Sequence, residues 1–170
     1  LEVIRNAYTR KEKAICFVTG VPGSGKTLVG LNIANQNTSH TARFMSGNIP
    51  LISVLREALA RNLHAQGESK TDAVRLMRDR IQNIHTFTKF HFTDKEKRAP
   101  EDGNVVIYDE AQRAWDEAQN WRKNKLRHSE PDMILSVMER LDWCALVAII
   151  GNGQEINTGE AGISEWINAL

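Results

Sequence analysis

The stretch that most constrains the fold is a glycine-rich octapeptide, GVPGSGKT, at residues 20–27. It follows a short apolar run, AICFVTG (14–20), which is typical of a buried strand. It also opens a segment, 25–37, in which apolar residues recur with helical spacing. A strand that turns through glycines into a helix predicts the first unit of an α/β fold.

The octapeptide fits the phosphate-loop pattern GxxxxGK(S/T) at every fixed position. Its glycines let backbone N–H groups turn inward around anionic oxygens, and the start of the helix adds partial positive charge. Lys26 is predicted to reach the terminal phosphates of a nucleotide, and Thr27 to offer its hydroxyl to Mg²⁺. The alternative is a glycine-rich turn before a helix, which the flanking elements and the Lys-Thr pair disfavour. The residues predicted to hold the nucleotide are Gly20, Pro22, Gly23, Ser24, Gly25, Lys26 and Thr27.

Strands and helices alternate along the rest of the chain, which predicts a mostly parallel sheet with helices on both faces. No internal boundary interrupts the pattern, so we expect a single domain over residues 1–170. A helix near residue 71 is expected to be capped by Thr71 or Asp72. The further predicted strands are 41–48, 105–109 and 144–151; the further predicted helices are 50–64, 71–82, 128–142 and one within 159–170; segment 84–92 is ambiguous and 95–104 is a polar loop.

Two acids follow the predicted strand 105–109, in VVIYDEAQRAW. A phosphate loop needs a further acid for Mg²⁺ on a neighbouring strand, and Asp109 is predicted to take that role. Glu110 is predicted to activate the attacking water, which favours a hydrolase over a simple nucleotide holder. The alternative is a helix N-terminus that favours acids. Gln112 and Arg113 are candidates for contacting the nucleotide, and Arg113 also for pairing with an acid or a partner domain.

A third polar position, Gln154, lies just past the predicted strand 144–151 in a loop bracketed by glycines. An amide there is predicted to contact the γ-phosphate or the attacking water. A loop in this place would sense nucleotide hydrolysis.

Composition limits the class of protein but does not name its partner. The net charge is +1, which neither favours nor excludes nucleic acid. No apolar stretch of about 18 residues exists, so we expect no membrane partner. Cys16 and Cys144 lie in apolar runs, which predicts reduced thiols and a cytoplasmic protein. The polar start lacks an initiator Met, so we expect a piece of a longer protein.

Four segments together resemble the Schlafen group 3-like DNA/RNA helicase domain family, also called domain of unknown function 2075, among the superfamily I helicase-like ATPases. They are GVPGSGKT, FMSGNIPLISVLREAL, VVIYDEAQRAW and IIGNGQEINTGEAGISEW, in that order over residues 14–167. The resemblance implies a RecA-like lobe with ATP and Mg²⁺ as cofactors. It matches Lys26 and Thr27 to Walker A, Asp109 and Glu110 to Walker B, and Gln154 to the sensor glutamine of motif III.

The resemblance also implies a nucleic-acid partner. Ser46, Gly47 and Asn48 occupy the position of motif Ia, which faces a strand of single-stranded DNA or RNA in such helicases. The alternative for these residues is a strand-to-helix turn capped by Asn48 and Pro50. Such helicases use a second RecA-like lobe that supplies arginines, and none follows Leu170. No adenine-contacting glutamine is evident in residues 1–13 either, so the isolated fragment is expected to be weak or inactive.

Two functions of different class fit these features. The first is a nucleic-acid-dependent ATPase, the motor lobe of a helicase or translocase. The second is an ATP-gated switch or scaffold that signals to a fused effector domain without unwinding. A small-molecule kinase has the same phosphate loop, but DEAQ followed by GQEI disfavours it.

Overall fold

In the described part of the chain the sheet has five strands, all parallel, in the order β1–β5–β4–β2–β3. The structure, a computed structural model, describes residues 1–36, 42–101, 103–151 and 162–170. The strands are β1 Lys13–Gly20, β2 Ala42–Ser46, β3 Ile81–Asn83, β4 Val105–Asp109 and β5 Cys144–Gly151. The predicted parallel α/β class is therefore confirmed.

Helices occupy most of the chain between the strands. A single 3₁₀ turn, Ala111–Arg113, directly follows β4. No helix within the described ranges is long and apolar enough to cross a membrane. The helices are α1 Glu2–Arg10, α2 Lys26–Gln36, α3 Ile49–Ala65, α4 Lys70–Arg80, α5 Ile84–Thr93, α6 Glu117–Asn124, α7 Glu130–Met138 and α8 Gly162–Ala169.

The two faces of the sheet are covered by different sets of helices. Val106 and Tyr108 of β4 belong to a core shared with α5, α7 and α8. Val105 and Ile107, which alternate with them, belong to a core shared with α1, α3 and α4, and α2 packs against it. Because both faces are buried, the central strands are almost wholly apolar.

Side-chain caps fix the starts of several helices. The Oδ1 atom of Asn48 accepts a hydrogen bond from Leu51 N at 3.2 Å, and the Ser129 hydroxyl caps α7 as predicted. The cap predicted for α4 was wrong, because the Ser69 hydroxyl accepts from Asp72 N at 3.1 Å. At these three starts the chain turns into the helix at a polar side chain that accepts an otherwise unpaired backbone N–H.

Several predicted boundaries differ from the structure. The strand predicted at 41–48 ends at Ser46, because the next two residues turn into α3. The helix predicted at 71–82 ends at Arg80, because 81–83 pair with β2 as a short edge strand. Segment 84–92 is helical, and the helix predicted at 128–142 stops at Met138. Helices α1 and α6 were not predicted.

One prediction about the sheet needs correction. The strand that carries Asp109 does not neighbour the strand that leads into the phosphate loop, since β5 pairs with both and lies between them. Gly20 pairs with Gly151 and Ser46 pairs with Asp109, so the carboxyl ends of these strands meet at one edge of the sheet. Ligands of open α/β sheets bind at this edge.

Candidate functional site

The glycine-rich loop between β1 and α2 needs glycine mainly for its backbone shape. Gly23 and Gly25 have φ angles of +75° and +83°, a region that residues with a Cβ atom rarely adopt. At Gly20 the reason is space, because an added Cβ would lie 2.9 Å from the Ser24 hydroxyl oxygen. The Ser24 amide in turn donates to the Val21 carbonyl at 3.2 Å, which closes the turn. The exposed Pro22 completes the loop.

Lys26 extends along the loop that precedes it. Its Nζ atom donates to the carbonyl oxygens of Gly20, at 2.7 Å, and Val21, at 2.9 Å. The helix behind it begins at the same place, since Val29 N donates to Gly25 O at 2.9 Å. The ammonium group and the first helical turn therefore lie against the same loop, where they can act on one anion.

The structure brings Thr27 and Asp109 together from positions 82 residues apart in the chain. The Thr27 hydroxyl donates to the Asp109 carboxylate, with distances of 3.1 Å and 3.2 Å to its two oxygens. Asp109 is 1% exposed. The pKa of this carboxyl is raised to about 6: burial and the neighbouring Glu110 charge raise it, whereas the Thr27 hydrogen bond and Lys26 lower it.

These two residues suit Mg²⁺. That ion prefers oxygen ligands and is usually bound by one or two protein side chains together with substrate phosphates and water. A hydroxyl and a carboxylate in mutual contact, at the start of the helix behind the glycine-rich loop, provide such a donor pair.

Glu110 follows Asp109 but has a different environment. Its backbone is left-handed, with φ at +57°, which is uncommon for a residue other than glycine. Its carboxylate accepts a hydrogen bond from Gln112 Nε2. The other end of the same amide, Gln112 Oε1, accepts from Gly151 N at 2.9 Å. Gln112 thus connects the Glu110 carboxylate to the last residue of β5.

Close packing preserves this connection. Gln112 is only 4% exposed, and an added Cβ on Gly151 would lie 3.1 Å from its Nε2 atom. The turn is also held from α8, since Trp166 Nε1 donates to Ala111 O at 2.8 Å. Trp166 is fully buried and packs edge-on against Tyr108. Sequence reasoning did not predict this role for Trp166.

A groove of about 660 Å³ adjoins the acids and reaches the loop after β2. Gly47 and Asn48 are exposed at its far wall, whereas Ser46 is fully buried and its hydroxyl accepts from Asn48 N at 3.1 Å. The groove therefore joins the predicted nucleotide residues to the predicted nucleic-acid residues. Its lining includes Thr27, Asp109, Glu110 and Arg113 on one side, and Ser46, Gly47, Asn48, His85 and Trp115 on the other.

A buried carboxylate supports the floor of this groove. Glu130 is 2% exposed and accepts from the Tyr108 hydroxyl at 2.9 Å and from Trp115 N at 3.3 Å. Its other oxygen lies 2.6 Å from His85 Nδ1. The His85 ring stacks on the Trp115 ring with centroids 3.7 Å apart. Sequence reasoning missed this network, because His85 and Glu130 are 45 residues apart and neither belongs to a motif.

One predicted site residue cannot be placed. Gln154 lies outside the described residues, so its proposed contact with phosphate or water stays a prediction. The described residue nearest to it in the chain before that loop is Gly151, which Gln112 holds.

Comparisons with known proteins agree with this fold. The family described as Schlafen group 3, DNA/RNA helicase domain matches residues 13–170. The crystal structure of the Pyrococcus furiosus Hef helicase domain is similar with a TM-score of 0.54 and 20% sequence identity. The match covers 96% of this chain and 34% of that one, so the chain spans about a third of that protein's length. No protein of curated function matches significantly. The predicted RecA-like fold is confirmed.

Proposed function

The chain belongs to the Schlafen group 3 DNA/RNA helicase domain family, and on this premise we propose that it is an ATP-hydrolysing motor lobe of a helicase or translocase. We propose that residues 1–170 act as one domain. The observation that carries the proposal is the contact between the Thr27 hydroxyl and the buried Asp109 carboxylate. It joins the phosphate loop to the acid strand at one edge of the sheet.

In this proposal the glycine-rich loop binds the phosphates of ATP through its backbone N–H groups. Lys26 exchanges its bonds to the Gly20 and Val21 carbonyls for bonds to the terminal phosphate oxygens. Thr27 and Asp109 are the residues that would hold Mg²⁺, and the ion would offset the negative charge of the phosphates. The side chain of Arg113, exposed at the groove, is a further candidate for contact with the γ-phosphate.

Glu110 is the proposed general base. It accepts a proton from the water that attacks the γ-phosphorus, and the products are ADP and inorganic phosphate. Gln112 orients the Glu110 carboxylate by donating to it, and we propose this indirect role instead of direct contact with the nucleotide. Because Gln112 also binds Gly151, movement of Glu110 would reach the loop that contains Gln154.

The nucleic-acid partner is the second part of the proposal. Gly47 and Asn48 are exposed at the groove that begins at Asp109, so a single strand of DNA or RNA bound there would lie close to the reacting phosphate. A second RecA-like lobe would close over this edge of the sheet and supply arginines. Supplied arginines in related phosphate-loop enzymes accelerate hydrolysis by about 10³–10⁵.

Two substitutions separate binding from hydrolysis. Lys26→Ala should lose most Mg-ATP binding, because it removes the only side-chain ammonium at the loop within the described part of the chain. Glu110→Gln should bind ATP within about twofold of wild type and hydrolyse it about 10²–10⁴ times more slowly, the usual contribution of a general base. Titration with a fluorescent ATP analogue and phosphate release measure the two effects.

Glu57→Gln is the matched control, since Glu57 is an exposed partner of Arg61 on α3. It should leave both quantities unchanged. Full binding by Lys26→Ala would contradict the nucleotide site. Normal turnover by Glu110→Gln would contradict the general base and leave the rest of the site in place.

A further inference from the structure

A second, smaller groove of about 320 Å³ is lined by residues of α3, α4, β3 and α5. None of the described residues that line it is acidic. Its basic side chains are Arg56 of α3 and Arg78 of α4, and α5 contributes aromatic side chains, of which Phe90 is exposed. The lining residues are Arg56, Arg78, Gln82, Asn83, Thr86, Phe87, Phe90 and His91.

The Arg56 guanidinium lies near Arg78, since its Nη2 atom is 3.5 Å from the Arg78 carbonyl oxygen and the charge of Arg78 acts on it. Arg56 Nε donates to the Ile81 carbonyl at 2.7 Å, which fixes its side chain over the end of α4. Burial and the neighbouring charge of Arg78 both lower the pKa of Arg56. Arg78 is exposed, and its side chain has no hydrogen bond or ion pair to any residue that the structure describes.

Two other arginines on the same helices are paired with acids. Arg75 of α4 binds Asp72 at 3.1 Å, and Arg61 of α3 binds Glu57 at 2.7 Å. Arg56 and Arg78, which line one concave surface, have no ion pair to an acid in the described part of the chain, and an anion bound there would offset their mutual repulsion. The planar fork of each group matches the oxygens of a phosphate.

An exposed aromatic ring borders the same groove. Phe90 is 67% exposed, although most large apolar side chains of α5 are buried or partly buried. A flat, exposed ring beside basic side chains is the usual arrangement for stacking an unpaired base.

The smaller groove connects to the larger one through Asn83. Its Nδ2 atom donates to the Ser46 carbonyl at 3.4 Å, and its Oδ1 atom accepts from Thr86 N at 3.0 Å. His85 and Thr86 are adjacent in α5. His85 lines the larger groove, whereas Thr86 lines the smaller one. One strand could therefore pass from the loop at Gly47 across the start of α5.

We propose that the smaller groove binds single-stranded nucleic acid, with backbone phosphates on Arg56 and Arg78 and a base stacked on Phe90. It extends the strand path beyond Gly47 and Asn48, and it rests on the nucleic-acid partner proposed above. A single strand fits better than an acidic protein segment because it offers phosphates and unpaired bases together.

The test measures anisotropy of labelled 15-nucleotide oligothymidylate and oligouridylate at several salt concentrations. Arg78→Gln should weaken binding and reduce the slope of log affinity against log salt by about 0.7, the value for one phosphate contact in a single strand. Phe90→Ala should weaken binding roughly 5- to 100-fold and leave the slope unchanged. Arg78 is preferred to Arg56 because its exposed side chain supports no other contact in the described structure.

Arg61→Gln is the matched control, since it removes one positive charge from α3 outside the groove. It should bind within about twofold of wild type. Binding of ATP by all three variants should equal that of wild type. Suppose that the oligonucleotides bind wild type, and that Arg78→Gln and Phe90→Ala bind them with the same affinity as Arg61→Gln. The groove proposal is then overturned, and the proposed function stands.

Other outcomes separate the remaining cases. Failure of wild type to bind either oligonucleotide would overturn both this groove and the nucleic-acid part of the proposed function. A third outcome has two parts: Arg78→Gln weakens oligonucleotide binding while Phe90→Ala does not, and polyglutamate displaces the oligonucleotide. This outcome would overturn the single-strand assignment and identify an acidic protein partner.

Discussion

At the scale of single residues, adjacent acids differ because the backbone turns between them. Asp109 ends a buried strand with its carboxylate on the Thr27 hydroxyl, and the left-handed backbone of Glu110 sends the next carboxylate to Gln112. One acid is thereby directed to a hydroxyl and the other to an amide. The different partners support different chemical roles for two neighbours in the sequence.

Burial of Asp109 predicts a pH dependence of stability. Its pKa is about 6 in the folded chain and 3.8 as an ordinary side chain, so the folded state favours the protonated form. Protonated Asp109 therefore stabilises the folded state below about pH 4, and this stabilisation is lost as pH rises through about 6. The pKa difference of about two units predicts that the free energy of unfolding falls by at most about 3 kcal/mol.

Asp109→Asn isolates this contribution. The variant cannot ionise at that position, so its free energy of unfolding should lack the loss between pH 4 and 7 that wild type shows. Urea denaturation of both proteins without nucleotide or Mg²⁺ gives the difference at each pH. If the free energies of unfolding of wild type and Asp109→Asn differ by the same amount at every pH in this range, Asp109 titrates alike in the folded and unfolded chains, which contradicts the prediction.

At the scale of elements, α2 approaches the sheet so closely that its middle must be glycine. A Cβ added to Gly30 would lie 2.6 Å from Ile149 Cδ1 and 2.9 Å from Ile107 Cγ2. Both atoms belong to central strands whose side chains are fully packed. This close contact sets the position of the helix whose first residues are Lys26 and Thr27.

Gly30→Ala should therefore destabilise the protein, although alanine favours helix. The gain in helix propensity is about 1 kcal/mol, whereas overpacking a dense core typically costs about 1–3 kcal/mol. We expect a net loss of stability of up to about 2 kcal/mol in urea denaturation, with weaker ATP binding as α2 moves outward.

The control for this prediction is Asn32→Ala on the exposed side of the same helix. It raises helix propensity without meeting the sheet, so stability should rise by a few tenths of a kcal/mol. Stabilisation by Gly30→Ala comparable to that control would contradict the close packing of α2 on β4 and β5.

Sequence patterns predicted the elements that carry strong local signals. The glycine loop with α2, the apolar strand 105–109 and the Ser129 cap are set by nearby residues. Strand β3 was missed because it has three residues and is stabilised by pairing with β2. The place of β5 between β1 and β4 was missed because strand order depends on contacts between distant segments.

The contacts within the candidate site also fall into two groups, those that sequence motifs predicted and those that depend on the folded arrangement. The contact of Thr27 with Asp109 could be predicted because each belongs to a motif with a known chemical requirement. The links from Gln112 to Gly151 and from Glu130 to His85 could not, because they depend on side-chain directions after folding. Arg78 and Phe90 belong to no motif, and only the arrangement of α4 and α5 brings them together.

At the scale of the whole molecule, the sheet gathers distant residues at its carboxyl edge. The glycine loop, Asp109, Ser46 and Gly151 end neighbouring strands there, and α5 contributes lining residues to both the larger groove and the smaller one. This arrangement places the proposed nucleotide and strand sites side by side. ATP hydrolysis is therefore expected to respond to nucleic acid.

The most direct measurement is steady-state ATP hydrolysis by the natural protein that contains this chain, with and without single-stranded DNA or RNA. Glu110→Gln is the inactive control. We predict Mg²⁺-dependent hydrolysis that one of the two strands stimulates about tenfold or more, which corresponds to an activation free energy lower by about 1.4 kcal/mol. Hydrolysis that is indifferent to both strands would contradict the motor account and favour an ATP-gated switch.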